Sequence, residues 1–488
     1  MNLLLKLAIA AVALTFALLA YNTTQLPAPP AVAAPVPLLK VDEAASAQRL
    51  AGAVRIPTIS FEDRASIDAA QLDAFAAYLQ KNFPRVHAAL TRERVSGGSL
   101  LYTWAGKDPK AKPLLLLAHI DVVPVEAGTE SQWTHPPFAG DIADGFIWGR
   151  GTLDDKSSLL ALMESAEALL AQGFAPQRTI YFAFGHDEEI GGEQGAAKIA
   201  ALLQSRGIKA EFSLDEGGAI TQGIVPGIER PVASIMAAEK GYVSFRLTAH
   251  AQGGHSSMPP ADTAIGGLAR AVSRLRNRRV PGRLTPPVSE MLLRLAPEMP
   301  LGKRIVIANP WLFGRLTVQL MSSSPVTNAL VRTTTAPTIL RAGVKDNVLP
   351  SEAYAVINFR LLPGDSIAGV ENHIRLAIAD DRIEIRRESG FGDEASPVSD
   401  THSAAFQVIE RSVNQVFPQA LVSTGIVLGA TDNRHYAQVF ENRYNFSPTL
   451  YHPEDIARVH GTNERIGVTA NADMIRFYAR LMQNAAGK

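Results

Sequence analysis

The sequence predicts an α/β fold with a mainly parallel sheet, into which a second, smaller α+β unit is inserted. Three observations carry this. The run Leu114-Leu115-Leu116-Leu117 leads straight into His119 and Asp121, as in a strand buried on both faces of a parallel sheet. Strand-like and helix-like segments alternate over residues 100–214, which favours a layered architecture. From residue 238 the pattern changes to half-exposed alternation, and the elements there follow the order β-α-insert-β-β-α-β of a split β-α-β sandwich.

The elements follow in order. Residues 3–20 are apolar apart from Lys6 and Thr15, giving a single-span anchor or a signal peptide. Leu18-Leu19-Ala20 is a poor cleavage site, and Ala31-Val32-Ala33 has suitable residues but lies far downstream. The segment is read as an uncleaved anchor that leaves the body exported, with a cleaved signal peptide as the alternative. Residues 27–37 are proline-rich and read as an extended spacer. Residues 38–90 are mostly helical, with apolar residues at helical spacing over 72–79 and Pro84 ending that run.

Strands are expected at 100–105, 113–118, 178–184 and 210–214, with helices at 157–171 and 193–205. In the second unit, strands are expected at 242–249, 333–342, 353–361 and 382–387, with helices at 262–276 and 366–379. Residues 277–300 read as a Pro- and Arg-rich insertion loop holding one short helix at 289–295. Helices at 403–416 and 470–484 complete the chain. The division is therefore 1–37 anchor and spacer, 38–237 first catalytic part, 238–390 inserted unit and 391–488 second catalytic part.

Composition narrows the function. At 488 residues the chain exceeds one ordinary core. Basic and acidic residues both number 47, so no bulk charge recruits nucleic acid, and membrane contact is expected only through the N-terminal segment. The Arg-rich 274–283 stretch lacks interleaved aromatics and reads as a solvated surface. Cysteine is absent, which excludes thiolate metal sites, thiol nucleophiles and disulfides.

Successive strands deliver acidic residues at their carboxyl ends, where open α/β sheets place their sites. The first ends in His119 and Asp121, two apart and so pointing the same way. Then come Asp154 in Gly149-Arg150-Gly151-Thr152-Leu153-Asp154-Asp155-Lys156, Glu188-Glu189-Ile190-Gly191-Gly192, and Asp215-Glu216-Gly217-Gly218. An acidic residue before a helix is ordinarily an N-cap. A whole cluster of carboxylates would repel itself unless a dication neutralised it. Oxygen and imidazole donors without thiolate suit zinc, cobalt or manganese.

These motifs, with Gly253-Gly254-His255-Ser256-Ser257, resemble the di-zinc aminoacylase and carboxypeptidase family. Val459-His460-Gly461-Thr462-Asn463-Glu464-Arg465 is most similar to its carboxypeptidase S and secreted N-acyl-amino-acid hydrolase branch. The resemblance spans nearly everything after the spacer. It implies a zinc-peptidase catalytic domain and an inserted ferredoxin-like dimerisation (lid) domain. It implies two zinc ions, with cobalt or manganese as substitutes: His119 and Asp215 on one, Glu189 and His460 on the other, and Asp154 bridging. Asp121 would orient His119, Glu188 would be the general base, and the 154–155 peptide would be cis. His255 would reach the active site of the partner subunit in a homodimer and stabilise an oxyanion. Asn347, Arg360, Gly429 and Arg434 would bind substrate, Arg360 by clamping a carboxylate.

Ala430 and Asn433 depart from the family's usual Gly-Gly-Thr-Asp-Ser-Arg loop. His186 and His435 read as local packing groups, and His87, His135, His250, His373, His402 and His452 have no role in the pattern. The expected activity is metal-dependent hydrolysis of an amide bond beside a free C-terminal carboxylate by metal-activated water, on a small peptide or N-acyl amino acid. The alternatives are a biosynthetic deacylase of the desuccinylase or acetylornithine deacetylase type, which export disfavours, and an inactive binding protein on the same fold.

Overall fold

The computed structural model describes residues 3–27, 36–388 and 392–487. Most of the spacer expected over 27–37, the 31–33 cleavage candidate and the boundary set at 390 lie outside the described residues. Helix α1 (Leu3–Thr24) stands largely free of the body, with only Thr23 buried.

The central sheet has Thr91–Val95 as its edge strand, paired antiparallel with β1 (Ser99–Trp104), and β2 (Leu114–His119) follows in the chain. Then come α2 (Lys156–Ala171), β3 (Ile180–Gly185), α3 (Ala196–Ser205), β4 (Ala210–Asp215) and β5 (Val232–Glu239). β2 lies between β3 and β4 and is parallel to both, with His119 opposite Gly185 and Leu116 opposite Leu214. Its leucines divide between two cores. Leu114 and Leu116 pack with Leu159 and Leu162 of α2, while Leu115 and Leu117 pack with Ile199 and Leu203 of α3. Period-two alternation on a sheet covered on both faces therefore requires an unbroken apolar run. Each buried leucine contributes roughly 1.5–3 kcal/mol, so the strand that carries His119 is firmly held.

The second sheet contains β6 (Gly241–His250), followed by α4 (Ala264–Asn277). Four helices then intervene: α5 (Pro286–Leu295), α6 (Leu301–Ala308), α7 (Pro310–Met321) and α8 (Pro325–Val331). The sheet is completed by β7 (Thr334–Ala342), β8 (Glu352–Leu361), α9 (Ile367–Ile378) and β9 (Ile383–Arg387). The strand order is β7-β8-β6-β9, antiparallel throughout. Residues of α4 and α9 form one core with β6 and β8.

The helical insertion is larger than the loop and single short helix expected over 277–300. Pro286, Pro310 and Pro325 sit in the first turns of α5, α7 and α8. Proline is tolerated there because the first N–H groups of a helix have no intrahelical partner. Read as breakers, these prolines conceal helix starts.

The chain returns with α10 (Ala404–Val416), β10 (Leu421–Val427), β11 (Phe440–Asn445) and α11 (Val468–Ala486). β11 runs parallel to β4, and β10 parallel to β5. β11 has a polar sequence, Phe-Glu-Asn-Arg-Tyr-Asn, yet Arg443 and Asn445 are buried in it, so alternation gave no strand signal. Arg465–Gly467 pairs antiparallel with Phe146–Trp148. That pairing brings residues 460–464 beside the Gly149–Asp154 loop.

Candidate metal centre

His119 ends β2, and its imidazole is 1% exposed. Its Nδ1 lies 2.9 Å from the Asp121 carbonyl oxygen and 3.4 Å from Asp121 Oδ1. Donation from Nδ1 to that carbonyl leaves Nε2 facing Asp154. The Asp121 carboxylate also accepts the backbone N–H groups of Glu188 and Glu189, at 3.1 and 3.2 Å, and the Ser60 hydroxyl at 2.6 Å. One buried residue thus sets both the His119 ring, through its carbonyl, and the Glu188–Glu189 turn, through its carboxylate.

Asp154 stands between two imidazoles. Its Oδ1 is 2.8 Å from His119 Nε2, and its Oδ2 is 2.9 Å from His460 Nε2. Glu189 Oε2 is 3.2 Å from the same His460 nitrogen. The return of His460 to this site is enforced by Glu464, which is fully buried. Glu464 accepts the N–H groups of Gly151, Leu153 and Asp154 at 3.0, 2.8 and 3.3 Å. It also pairs with Arg150 at 2.5 Å, and Arg150 in turn donates to the His460 carbonyl at 3.0 Å. The Asp154–Asp155 peptide is cis.

The donor atoms of His119, Asp154 and Glu189 lie within 4.8 Å of one another, as do those of His119, Glu188 and Glu216. Burial, opposed by His119 and reinforced by Asp432 and the neighbouring carboxylates, pushes Glu188 well above the usual carboxylate range. Burial and then the charge of Asp154 bring Glu189 up to about 7. Against the cost of burial, the bonds to His119 and His460 hold Asp154 below its ordinary value. Glu189 Oε1 is buried with no hydrogen-bond partner among the described residues. A crowd of carboxylates that resist ionisation, one with an orphaned oxygen, beside two imidazoles fits divalent cations in an oxygen–nitrogen shell.

Asp215 accepts the Asn433 backbone N–H at 2.8 Å. The next residue, Glu216, places Oε1 3.8 Å from His119 Nε2. Adjacent residues at a strand end face opposite ways, and it is Glu216 that faces the cluster. Asp432 is a second residue that the motif reading passed over. It is buried, and a Cβ on Gly185 or Gly192 would come within 2.3 or 2.2 Å of its carboxylate oxygens. Those two glycines make room for it. The departure at Asn433 also has a local account: its amide accepts from Ser213 at 2.6 Å and donates to the Tyr444 carbonyl at 3.0 Å, tying the 429–434 loop to β4 and β11.

The expected substrate residues form two groups. Arg360 lies opposite Tyr242 in the β6–β8 register and stacks over its ring at 4.6 Å. Burial, with Arg434 nearby, lowers its pKa. Arg434 donates to the Gly191 carbonyl at 2.7 Å, joining the Glu188–Gly192 turn, and lies 3.3 Å from Asp393. Ala430 lines a cavity of about 370 Å³ with Lys240, Tyr242 and Arg434, and Gly429 has open space around its Cα.

His255 and Asn347 are elsewhere, on an exposed two-stranded ribbon pairing Gly254–His255 with Val348–Leu349. The Ser256 N–H donates to the Asn347 carbonyl at 3.2 Å. His255 Nδ1 accepts the Ser257 N–H at 3.1 Å, which leaves Nε2 free to carry the proton. His186 and His435 are held locally, by the Ser99 hydroxyl at 2.7 Å and the Gly191 carbonyl at 3.0 Å.

A profile of peptidase family M20/M25/M40 matches residues 115–484. The chain is 43% identical to the N-fatty-acyl-amino acid synthase/hydrolase of Xenopus tropicalis over 442 residues, 90% of this chain and 85% of that one. It is 33% identical to carboxypeptidase S of Saccharomyces cerevisiae, covering 90% and 84% of the two chains. The fold matches an M20 family metallo-carboxypeptidase from Sulfolobus solfataricus with a TM-score of 0.64 at 19% identity, over 91% of this chain and 99% of that one.

Proposed function

The chain belongs to peptidase family M20/M25/M40 and is a metal-dependent hydrolase; we propose that it cleaves the amide bond of N-acyl amino acids or small peptides beside a free carboxylate. The observation that carries this reading is Asp154, whose two oxygens each face a different imidazole, at 2.8 and 2.9 Å. A carboxylate so placed suits a bridge between two cations. His119 and Glu216 would hold one, Glu189 and His460 the other. Zinc, with cobalt or manganese as substitutes, would supply the positive charge that polarises an amide carbonyl and lowers the pKa of water.

The chain's own groups do the rest. Glu188, held by Asp121 at its backbone N–H, takes the proton of the attacking water and delivers it to the leaving amine. Its carboxyl lies in the carboxylate cluster beside Glu216 and His119, within reach of water held there. Arg360 holds the substrate carboxylate, because a guanidinium can bind it through two parallel bonds. Gly429 and Arg434 border the same region.

Asn347 and His255 act from a second copy of the chain. Their exposed position in this one favours that arrangement, as do Ile339 and Leu340, exposed on edge strand β7. The inserted sheet is then both lid and dimer interface. α1 serves as an uncleaved anchor that leaves the body on the exported side.

Purified protein supplied with zinc, cobalt or manganese should hydrolyse members of a panel of N-acyl amino acids and dipeptides, and should lose at least most of its rate when the substrate carboxylate is amidated. Equal rates on free and amidated substrates would refute the role given to Arg360.

A further inference from the structure

Residues 299–345 contain six basic side chains, at Lys303, Arg304, Arg315, Arg332, Arg341 and Lys345, and no acidic one. Within that stretch α6 and α7 meet at Asn309 and present an apolar outer side. Leu301, Trp311, Leu312, Leu316 and Leu320 are 42–62% exposed. Leu312, Leu316 and Leu320 recur every fourth residue, so they form one stripe along α7. The inner side is accounted for: Val318 and Met321 pack against the core formed by Val288 and Val331. The outer stripe is thus a second apolar face on a helix already seated in the body.

The same helix pair receives the end of α1. α1 packs on α6. Asn22 Nδ2 donates to Asn309 Oδ1 at 2.9 Å, and Asn309 Nδ2 lies 3.3 Å from the Leu19 carbonyl oxygen. Trp311 Nε1 donates to Asn309 Oδ1 at 3.2 Å. Asn309 is itself buried, so it fixes where α1 leaves the body. At about 1.5 Å per residue α1 is roughly 33 Å long, close to the ~30 Å hydrocarbon thickness of a bilayer. An α1 that crosses a bilayer brings Asn309 to its surface, and α6 and α7 with it.

We propose that the outer face of α6 and α7 lies in the interfacial layer of the bilayer that α1 enters, among anionic headgroups. This rests on the reading of α1 as an uncleaved anchor. The leucines enter the boundary between headgroups and acyl chains, Trp311 occupies the level that tryptophan favours, and Lys303 and Arg315 face lipid phosphates. The absence of acidic residues over 299–345 removes the repulsion that would otherwise oppose that contact.

The chain has no cysteine, so one introduced thiol is a unique labelling site. The test uses the full chain carrying Leu316→Cys or Leu312→Cys, nitroxide-labelled and reconstituted into phosphatidylethanolamine vesicles containing phosphatidylglycerol. Lys81→Cys, exposed on the Ala69–Asn82 helix, is the aqueous reference.

The proposal expects the collision ratio of oxygen to a water-soluble nickel chelate to be several-fold higher at positions 316 and 312 than at 81. A chain that stays with the vesicles after alkaline washing, yet gives the same ratio at all three positions, overturns the docked face and leaves the anchor intact. Spin–spin broadening between labels at 316 in separate chains overturns it in favour of a second copy on that face. A chain that washes off the vesicles overturns the anchor reading and the proposal with it.

Discussion

The His119–Asp154–His460 cluster and the His255–Asn347 ribbon are built in opposite ways. The cluster sits at the carboxyl ends of parallel strands and is tied together by buried groups: Asp121 holds His119 and the Glu188–Glu189 turn, and Glu464 holds the Asp154 loop. The ribbon is two residues on each strand, exposed, and braced chiefly by Ser257 and the Asn347 carbonyl. The difference teaches where precision is needed. Groups that share charge within a few ångströms must be fixed by the core, whereas a group proposed to act on a partner's site, as His255 is, can remain outside until that partner supplies its surroundings.

Breaking the cluster should cost most. Glu188→Gln keeps the size of the side chain and removes the base, so kcat should fall by about 10²–10⁴. Steady-state kinetics at saturating metal checks this. His255→Ala should lower kcat by about 10²–10³, the usual cost of removing one oxyanion donor. It also sharpens the comparison. Mixing Glu188→Gln chains with His255→Ala chains should restore activity, because a mixed dimer has one site with both groups intact. If the two variants stay inactive together while exchanging subunits, the ribbon serves its own chain.

Glu464→Gln touches no substrate, yet it loosens the loop that aligns Asp154 with His460. Metal affinity should fall by about 10–100-fold, as for other supports of metal ligands, and added metal should recover most of kcat. Isothermal titration with the metal separates that from a folding defect.

A smaller effect concerns the metal-free protein. Asp215 is raised from 3.8 to about 6 and Glu189 from 4.5 to about 7. His460, through its bonds to Asp154 and Glu189, is raised from 6.5 to about 10. The folded state therefore binds extra protons between the unfolded and folded values of each group. Stability is fullest below the unfolded values and declines as pH rises through the folded ones. Metal-free protein should lose thermal stability from about pH 4.5 towards pH 7, the window set by Asp215 and Glu189; above it Lys156 and Lys240, lowered from 10.5 to about 7, oppose His460, and metal should offset the loss at neutral pH. A flat melting temperature for the metal-free protein across that range would contradict the electrostatic picture of the cluster.

Much of this was legible in the sequence because its signals are local. Four leucines before His119 mark a doubly covered strand, and the order of elements after residue 238 marks the four-stranded antiparallel sheet. The division of labour between Asp215 and Glu216 is not legible, because the two differ by one residue at a strand end and only the register decides which side faces the cluster. Ser60 and Glu464 act across 61 and more than 300 residues of chain, a relation that no spacing rule captures. Prolines at helix starts hid α7 and α8, and the buried polar residues of β11 hid a strand.

The central claim is that Asp154 joins two cations held on either side of it. Metal content per chain, measured on protein dialysed against buffered zinc, tests it most directly. The account predicts two equivalents in the natural protein, one in His119→Ala, one in His460→Ala, and fewer than one in Asp154→Ala. A single equivalent in the natural protein, or two retained in Asp154→Ala, would contradict it.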